Sequence, residues 1–306
     1  MSRFNRPAFA LRVFLAGLVW LAAASVAHGA AAPESARAPW QKYTHGLLWR
    51  IETAGAPPSY LFGTLHSDDP RVTDLPAPVK TAFDGARSFT MELIADAGAL
   101  AAITKLMFFD DGRTLPALLG DALYAETQRV LKQEGLPHQG IERQKPWAVV
   151  MMLSAPRPRT GVFLDLLLQA QAGAQAKPTY GLETVDEQLA AFNDLPMADQ
   201  VTLLKETLRL QAHARAELEE LTRAYVARDL GRIMAVAERN RPADARVHDA
   251  LMTQLITQRN HRMVERLRTR LAEGNGFIAV GAAHLPGADG MLYLLERNGY
   301  RVSRVY

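Results

Sequence analysis

The strongest constraint in the sequence is a strand-like segment that ends in Gly-x-x-His and occurs twice, far apart in the chain. The first copy spans 59–66 and ends on His66, and the second spans 276–284 and ends on His284. Short apolar runs of this kind, stopped by small residues, predict buried strands. Ligands of α/β proteins bind beyond the carboxyl ends of such strands. The two matching ends therefore predict one shared site that contains both histidines.

Two acidic residues follow other predicted strands. Glu92 follows the apolar segment 88–91, and Glu183 follows a short predicted strand at 178–182. Beside two imidazoles, a carboxylate suits either a third metal ligand or a general base, and both roles stay open for Glu92. A purely structural pairing of this strand-end glutamate with an arginine is the third alternative. Glu183 suits a metal ligand, a group that orients a histidine, or a base. Alternatively, Glu183 is an acid at the start of the next helix, where the helix dipole favours negative charge.

Arg259 is the third charged candidate, and it lies in a basic helical segment, 255–263, upstream of the second histidine. A guanidinium group carries a planar fork of donors that matches a substrate carboxylate or a developing oxyanion. Such basic helical segments are also commonly just solvated faces. Both interpretations of Arg259 stay open from the sequence.

The order of the predicted elements favours the α/β class. A hairpin is predicted over 47–65 and a further strand over 88–93, and helices then dominate 100–272 before the strand of the second histidine. Helical hairpins inserted between strands of one sheet fit this order better than two independent domains. We expect a small mixed central sheet whose first and last strands carry the Gly-x-x-His turns, with a large helical insertion between them.

The N-terminus is a separate unit. Arginines at positions 3, 6 and 12 precede an apolar run over 13–24 and then small residues, the pattern of a secretory signal peptide. The run is shorter than the roughly 20 residues that a membrane-spanning helix needs. We therefore predict a signal peptide over 1–30, a linker over 31–46 and a domain over 47–306. The protein is expected to be exported, periplasmic or secreted, with no stable membrane span after cleavage.

The amino-acid composition of the chain excludes several classes of function. The chain has no cysteine, which excludes a thiol nucleophile, disulfides and thiolate metal ligands, so any metal must be held by His, Asp or Glu. The net charge of +3 comes partly from the predicted signal peptide, and no nucleic-acid partner is expected. The sequence also lacks the His-Glu-x-x-His, Walker and Gly-x-Gly-x-x-Gly motifs, which argues against zincin, nucleotide-hydrolase and dinucleotide-binding functions.

Several of these motifs occur together in one known family. They are the paired Gly-x-x-His segments, Met91-Glu92, Gly181-Leu182-Glu183 with Glu187-Gln188, and the His-Leu-Pro-Gly that begins at His284. In this combination the chain resembles, over roughly 47–306, the TraB/GumN family. That family is similar to the TIKI metalloproteases and, more remotely, to erythromycin esterase-like and ChaN-like proteins.

The resemblance implies an exported, metal-dependent hydrolase and, for TIKI-like members, a peptidase. It implies that His66 and His284 bind a divalent cation, for which we consider Mn²⁺, Co²⁺ and Zn²⁺. We predict that Glu92 joins them as metal ligand or catalytic base, with Glu183 or Arg259 assisting catalysis. The expected substrate is a peptide or another small molecule.

Two other functions remain compatible with the sequence. One is a non-catalytic periplasmic protein that binds a peptide or glycan in the same cleft. The other is a metal-free, esterase-like hydrolase in which histidine and glutamate activate water. Catalysis with a metal requires convergent ligands and an open coordination position, whereas binding alone rewards an extended apolar groove.

Overall fold

A computed structural model describes residues 39–156, 160–239 and 242–306. The predicted signal peptide and the first part of the predicted linker lie outside the described residues. The later part of that linker contains a 3-10 turn, Pro39–Tyr43. Tyr43 is buried there and packs edge-on against Trp49, so folded structure already begins before residue 47.

A six-stranded mixed sheet forms the centre of the described part of the chain. Its strands are β1 (Leu48–Glu52), β2 (Ser59–Thr64), β3 (Ser88–Met91), β4 (Thr179–Gly181), β5 (Gly276–Gly281) and β6 (Arg301–Arg304). They are ordered β4-β3-β5-β2-β1-β6, and the four from β4 to β2 run parallel, whereas β1 is antiparallel to both of its neighbours. The predicted α/β class with a small mixed sheet is confirmed.

The positions of the two Gly-x-x-His turns differ in one respect from the expectation. They follow β2 and β5, the second and fifth strands of the chain, rather than the first and the last. The hairpin partner β1 precedes β2, and the short strand β6, which the sequence analysis did not predict, pairs with β1 beyond the second turn. Because β2 and β5 are direct neighbours in the sheet, both turns still lie side by side at its centre.

The large helical insertion between β3 and β5 is also confirmed. The α-helices in the described residues are α1 (Pro70–Thr73), α2 (Ala77–Gly85), α3 (Ala97–Leu106), α4 (Leu115–Gln133), α5 (Pro146–Ser154), α6 (Leu164–Ala174), α7 (Val185–Asn193), α8 (Met197–Leu210), α9 (Ala214–Val226), α10 (Leu230–Arg239), α11 (Ala245–Met252), α12 (Gln258–Glu273) and α13 (Met291–Arg297). None of the described helices combines the length and apolarity that crossing a bilayer requires.

Two apolar cores result from this arrangement. One surrounds the sheet, where β5 is an almost uninterrupted buried run, as expected for a parallel strand covered on both faces. The other lies within the helical insertion and includes nearly all of α5. The two residues that flank Glu92 in the sequence belong to different cores: Met91 to the sheet core and Leu93 to the helical core. Glu92, between them in sequence, is thus placed where the two cores meet.

The glycine of the first turn has a packing role. A Cβ atom on Gly63 would lie 2.7 Å from Leu285 Cδ1 and 3.1 Å from the backbone Cα of Ala282, which belongs to the second turn. Such distances are below normal van der Waals contact. Glycine at position 63 therefore lets the second histidine turn pack directly against β2.

We predict that Gly63→Ala lowers the free energy of unfolding by about 1–3 kcal/mol, because the added methyl group overpacks the contact between the two turns. The matched control is Gly173→Ala near the end of α6, where an added Cβ has no neighbour within 4 Å. That change should be neutral or slightly stabilising, since alanine favours helix. Urea unfolding of both variants measures the difference, and equal stabilities would contradict the packing role.

Candidate active site

The ends of the four parallel strands each carry one of the predicted site residues. In sheet order, Glu183 follows β4, Glu92 follows β3, His284 ends the 3-10 turn after β5, and His66 follows β2. All four are no more than 7% exposed. Parallel strands point their carboxyl ends to one edge, so residues from four distant parts of the chain lie in one row.

Arg259 joins this row from helix α12, which is preceded by a π-helical turn, Thr253–Thr257. Its side chain is 1% exposed and lies between two carboxylates. Nη2 donates to Glu92 Oε2 at 2.6 Å and to Glu183 Oε2 at 2.6 Å, while Nε donates to both oxygens of Glu183 at 2.9 and 3.1 Å. One planar guanidinium group thus holds the ends of β3 and β4 together.

The surroundings shift the pKa values of the two carboxyl groups in opposite directions. Burial works to raise the pKa of Glu92, but Arg259, the two histidines and the Gly281 N–H together lower it far below its usual range. Arg259 dominates because its charge is permanent. Burial raises the pKa of Glu183, and Arg259 offsets only part of that effect. Glu92 is therefore held ionised, whereas the pKa of Glu183, the other partner of Arg259, moves in the opposite direction.

Glu92 contacts most of the other groups in the row. Its Oε1 accepts the backbone N–H of Gly281 at 2.6 Å and lies 3.6 Å from His284 Nε2. Its Oε2 accepts Gln188 Nε2 from helix α7 at 3.1 Å in addition to Arg259. The Oε1 atom is thus the one turned towards the histidine of the second Gly-x-x-His turn.

His284 is oriented by the residue next to Arg259 on helix α12. The side-chain Nδ2 of Asn260 donates to the backbone oxygens of Asp289 at 2.7 Å and of His284 at 3.3 Å. The amide oxygen therefore faces His284 Nδ1, at 2.6 Å, and accepts its hydrogen. Burial lowers the pKa of His284 to about 4 despite the nearby Glu92. Near neutral pH the ring is uncharged, and its Nε2 carries a lone pair towards Glu92.

His66 is oriented by an acid from the helical insertion, Asp165 in the first turn of α6. His66 Nδ1 lies 2.5 Å from Asp165 Oδ2, and Thr64 Oγ1 donates to Asp165 Oδ1 at 2.7 Å. Burial opposes the charged form of His66, but the Asp165 carboxylate outweighs it and raises the pKa of the imidazole. Since a carboxylate accepts hydrogen bonds, Nδ1 is the donor and Nε2 is the nitrogen left for other partners.

The structure decides between the two interpretations of Arg259 that the sequence left open. Arg259 is not part of a solvated helix face, because it is buried between two glutamates. Glu183 lies directly before Thr184, the N-cap residue of helix α7, so its position at the helix start is compatible with the dipole interpretation as well as with its contact to Arg259. The predicted residues His66, Glu92, Glu183, Arg259 and His284 all lie along the same edge of the sheet.

Sequence reasoning missed Asp165 as a member of the site, and it singled out Gln188 and Asn260 only as parts of motifs. Asp165 is a lone acid within an otherwise apolar stretch at 162–168 and is 6% exposed. A charge on the buried face of a helix requires a partner, so this pattern was a usable signal. The other two residues gave only motif-level signals, because Gln188 belongs to Glu187-Gln188 and Asn260 follows Arg259 directly.

The arrangement suits proton transfer or cation binding at the sheet edge. Two imidazoles each have Nδ1 tied to an oxygen acceptor, and one ionised carboxylate lies beside one of the free Nε2 atoms. Within the described residues, no three His, Asp or Glu side chains converge closely enough to form a ready-made metal cluster. The observed pair with facing acceptor atoms is His284 with Glu92.

The fold and this edge define an α/β protein with a buried His/carboxylate site at the ends of its parallel strands. Residues 47–304 match the family described as TraB/PrgY/gumN, which covers most of the chain. The chain belongs to this family, as the motifs indicated.

The curated relatives that match are named as metalloproteases. "Metalloprotease TIKI2" of Danio rerio and "Metalloprotease TIKI1" of Homo sapiens are each 28% identical to the chain, over 317 and 318 aligned residues. Both alignments cover 86% of this chain but only 61% and 63% of the relatives, so the chain spans less than two thirds of their length. No solved structure matches the chain significantly.

We predict that Arg259→Gln lowers the free energy of unfolding by about 3–5 kcal/mol, because two buried carboxyl groups lose the charge between them. Arg268→Gln on the same helix is the matched control, since its partner Glu265 is exposed and three residues away. The control should stay within about 0.5 kcal/mol of the parent protein. Thermal or urea unfolding measures both, and a mild effect at position 259 would contradict a central role for the cluster.

Proposed function

We propose that this protein is an exported, metal-dependent hydrolase that cleaves peptide bonds at the edge formed by β2, β5, β3 and β4. The observation that carries the proposal is the pair of acceptor atoms His284 Nε2 and Glu92 Oε1, 3.6 Å apart and both buried. The lone pairs of two acceptors repel one another at that separation unless a proton or a cation lies between them. A divalent cation is the partner that an imidazole nitrogen and a carboxylate oxygen prefer in common.

The donor set fits such a cation chemically. In each histidine, Nδ1 donates to an oxygen, which leaves Nε2 as the ligating nitrogen, as metal-binding histidines usually require. His284 and Glu92 would hold the ion, with His66 from the neighbouring strand end as the third ligand. Two imidazoles and one carboxylate leave coordination positions open for water and substrate. Mn²⁺, Co²⁺ and Zn²⁺ are all compatible with this set.

Residues of the chain itself would have the other roles in the reaction. When bound, the cation supplies Lewis acidity for a water molecule and for the scissile carbonyl. Glu92 would hold the cation or accept a proton from water, and Arg259 would keep that carboxylate ionised and fixed. Glu183 would act through Arg259 as a positioning residue rather than on substrate. The fork of Arg259 is occupied by these two acids, which favours a supporting role for it over direct contact with a substrate carboxylate.

The proposed peptide substrate and the proposed cellular location are inferred from observations outside the site. The relatives' names as metalloproteases support a peptide substrate, and their greater length leaves the identity of the peptide open. Export rests on the predicted signal peptide over 1–30, and it would locate the reaction in the periplasm or outside the cell.

A metal-free hydrolase is a second candidate, and the His66–Asp165 contact specifically favours it. A histidine whose Nδ1 donates to a buried carboxylate is the base-and-orienter arrangement that activates water or a hydroxyl group in many hydrolases. In this mechanism His66 Nε2 removes a proton from water, and the negative charge of Glu92 stabilises the imidazolium that results. The two candidates differ in their response to chelation.

The first prediction from this proposal concerns metal binding. Calorimetric titration with Mn²⁺, Co²⁺ and Zn²⁺ should show one-to-one binding that His66→Ala and His284→Ala each weaken at least about tenfold, because each removes one ligand. His261→Ala is the control, since that histidine is exposed and pairs with Asp289. Binding of equal strength in all three variants would place the metal elsewhere and defeat the proposed site.

The second prediction concerns activity. A peptide library should be cleaved by the metal-loaded protein, and Glu92→Gln should lower kcat by about 100-fold or more, since a neutral amide can neither balance the charge nor accept a proton. Glu265→Gln, exposed on the same helix as Arg259, is the control and should leave cleavage unchanged. Cleavage that survives chelation favours the metal-free candidate. Saturable peptide binding without any cleavage would support the binding-protein alternative instead.

A further inference from the structure

We propose that Asp165 is a positioning residue that fixes the tautomer of His66, and that Thr64 determines which atoms of residue 165 face the imidazole. Asp165 thereby joins Gln188, Arg259 and Asn260 among the helical residues that contact the row of strand-end side chains. This positioning role deepens the proposed function but holds for the metal-dependent and the metal-free candidate alike, because both need a lone pair on His66 Nε2.

A three-residue hydrogen-bond chain carries this inference. Thr64 is the last residue of β2, and its Oγ1 donates to Asp165 Oδ1 at 2.7 Å. Asp165 Oδ2 accepts from His66 Nδ1 at 2.5 Å. All three side chains are no more than 8% exposed, so bulk water competes little for these bonds. Each oxygen of the carboxylate has one assigned donor.

The backbone around Asp165 holds this chain in place. The N–H of Leu164, the first residue of α6, donates to the carbonyl of Ser67 at 3.2 Å, directly after His66. The N–H groups of Thr160 and Gly161 donate to Asp68 Oδ2 at 2.7 and 2.8 Å. The start of helix α6 is therefore attached to the histidine turn at several points. Asp165 cannot move away from His66 without breaking these bonds.

An asymmetry between the two histidines shows that this arrangement is specific. His284 is oriented by a neutral amide, Asn260, whose own orientation is fixed because its Nδ2 donates to two carbonyls. His66 is oriented by an anion that is symmetric in its two oxygens. A carboxylate needs no fixed orientation to accept from both neighbours, whereas an amide at position 165 would have to choose which of its ends faces which neighbour.

The variant Asp165→Asn tests this difference, because it replaces the symmetric carboxylate with an amide that accepts at only one end. If the Thr64 hydroxyl still donates to the single remaining oxygen, the amide nitrogen of the substituted side chain faces His66 and donates to Nδ1. The proton of the neutral imidazole must then move to Nε2, which removes the lone pair from the site. In Thr64→Val with Asp165→Asn, the hydroxyl is gone and the amide is free to turn its oxygen towards Nδ1. Thr64→Val should therefore restore the parent tautomer of His66 that Asp165→Asn changes.

The experiment records long-range ¹H–¹⁵N spectra of the imidazole nitrogens in the metal-stripped, purified protein, at a pH above the pKa of His66. The His66 signals are identified by their loss in His66→Ala. We expect the Nδ1–H tautomer in the parent protein, a substantial Nε2–H population in Asp165→Asn, and return to Nδ1–H in the double variant. Thr64→Val alone should keep the parent tautomer, because Asp165 remains an acceptor.

Metal titration gives an independent readout. Asp165→Asn should weaken binding of Mn²⁺ or Zn²⁺ by about 10–100-fold, the usual effect of losing a ligand's orienting partner, and the double variant should regain most of that loss. The control is Asp68→Asn, in the loop that follows His66. The substituted amide keeps one side-chain oxygen, which can still accept from the N–H groups of Thr160 and Gly161. The His66 tautomer of this variant should be that of the parent protein.

The outcomes separate this proposal from the proposed function. An Nε2–H tautomer of His66 in the parent protein overturns the positioning role outright, even if Asp165→Asn fails to fold. An unchanged tautomer in folded Asp165→Asn removes the role of Thr64, because a hydroxyl group that accepts from the amide nitrogen leaves the amide oxygen facing His66. Failure of the double variant to recover removes the role of Thr64 as well. If the tautomers change as expected but no variant binds metal, the positioning role stands and the metal-dependent function fails.

Discussion

The buried guanidinium of Arg259 is the interaction on which the site depends. It donates to two carboxylates from the ends of different strands, and burial keeps bulk water from replacing any of the three groups. Charges in such surroundings are tolerable only when they are paired with good geometry. Helix α12 must therefore occupy one position relative to β3 and β4. The next residue on that helix, Asn260, then reaches His284, so a single helix sets the geometry of both the acid and the imidazole.

The strand ends carry four of the candidate site residues, and the helices carry the groups that contact and orient them. His66, His284, Glu92 and Glu183 all follow parallel strands, whereas Asp165, Gln188, Arg259 and Asn260 all come from helices. Each reactive side chain thus has a partner from the opposite layer. This division explains why a helical insertion of this size lies between two neighbouring strands of a small sheet. It builds a second apolar core and delivers polar contacts to the strand ends at the boundary between the two cores.

Much of this could be predicted from the sequence, and the failures have physical causes. The strand ends before His66, Glu92 and His284 were visible because a buried strand leaves a continuous apolar signal before the residue that follows it. The strand before Glu183, β4, is short and mostly exposed, so there the Gly181-Leu182-Glu183 motif was the main signal. The edge strand β6 was missed because it is short and half exposed, which leaves too little hydrophobic pattern. The pairing of Asp165 with His66 spans 99 positions and depends on the register of α6 against a loop, which no local pattern encodes. The same holds for the pairing of Arg259 with Glu92 and Glu183: Arg259 was a predicted site residue, but its local sequence is that of a solvated helix and does not indicate its partners.

The central claim is that the parallel strand ends form one cation site. The most direct test is anomalous diffraction from crystals of the protein grown with Mn²⁺. The account predicts a single strong peak within coordination distance of Glu92 and of the Nε2 atoms of His284 and His66, with Arg259 still between Glu92 and Glu183. A peak at another place, or an ordered sheet edge with no peak at saturating Mn²⁺, would contradict it.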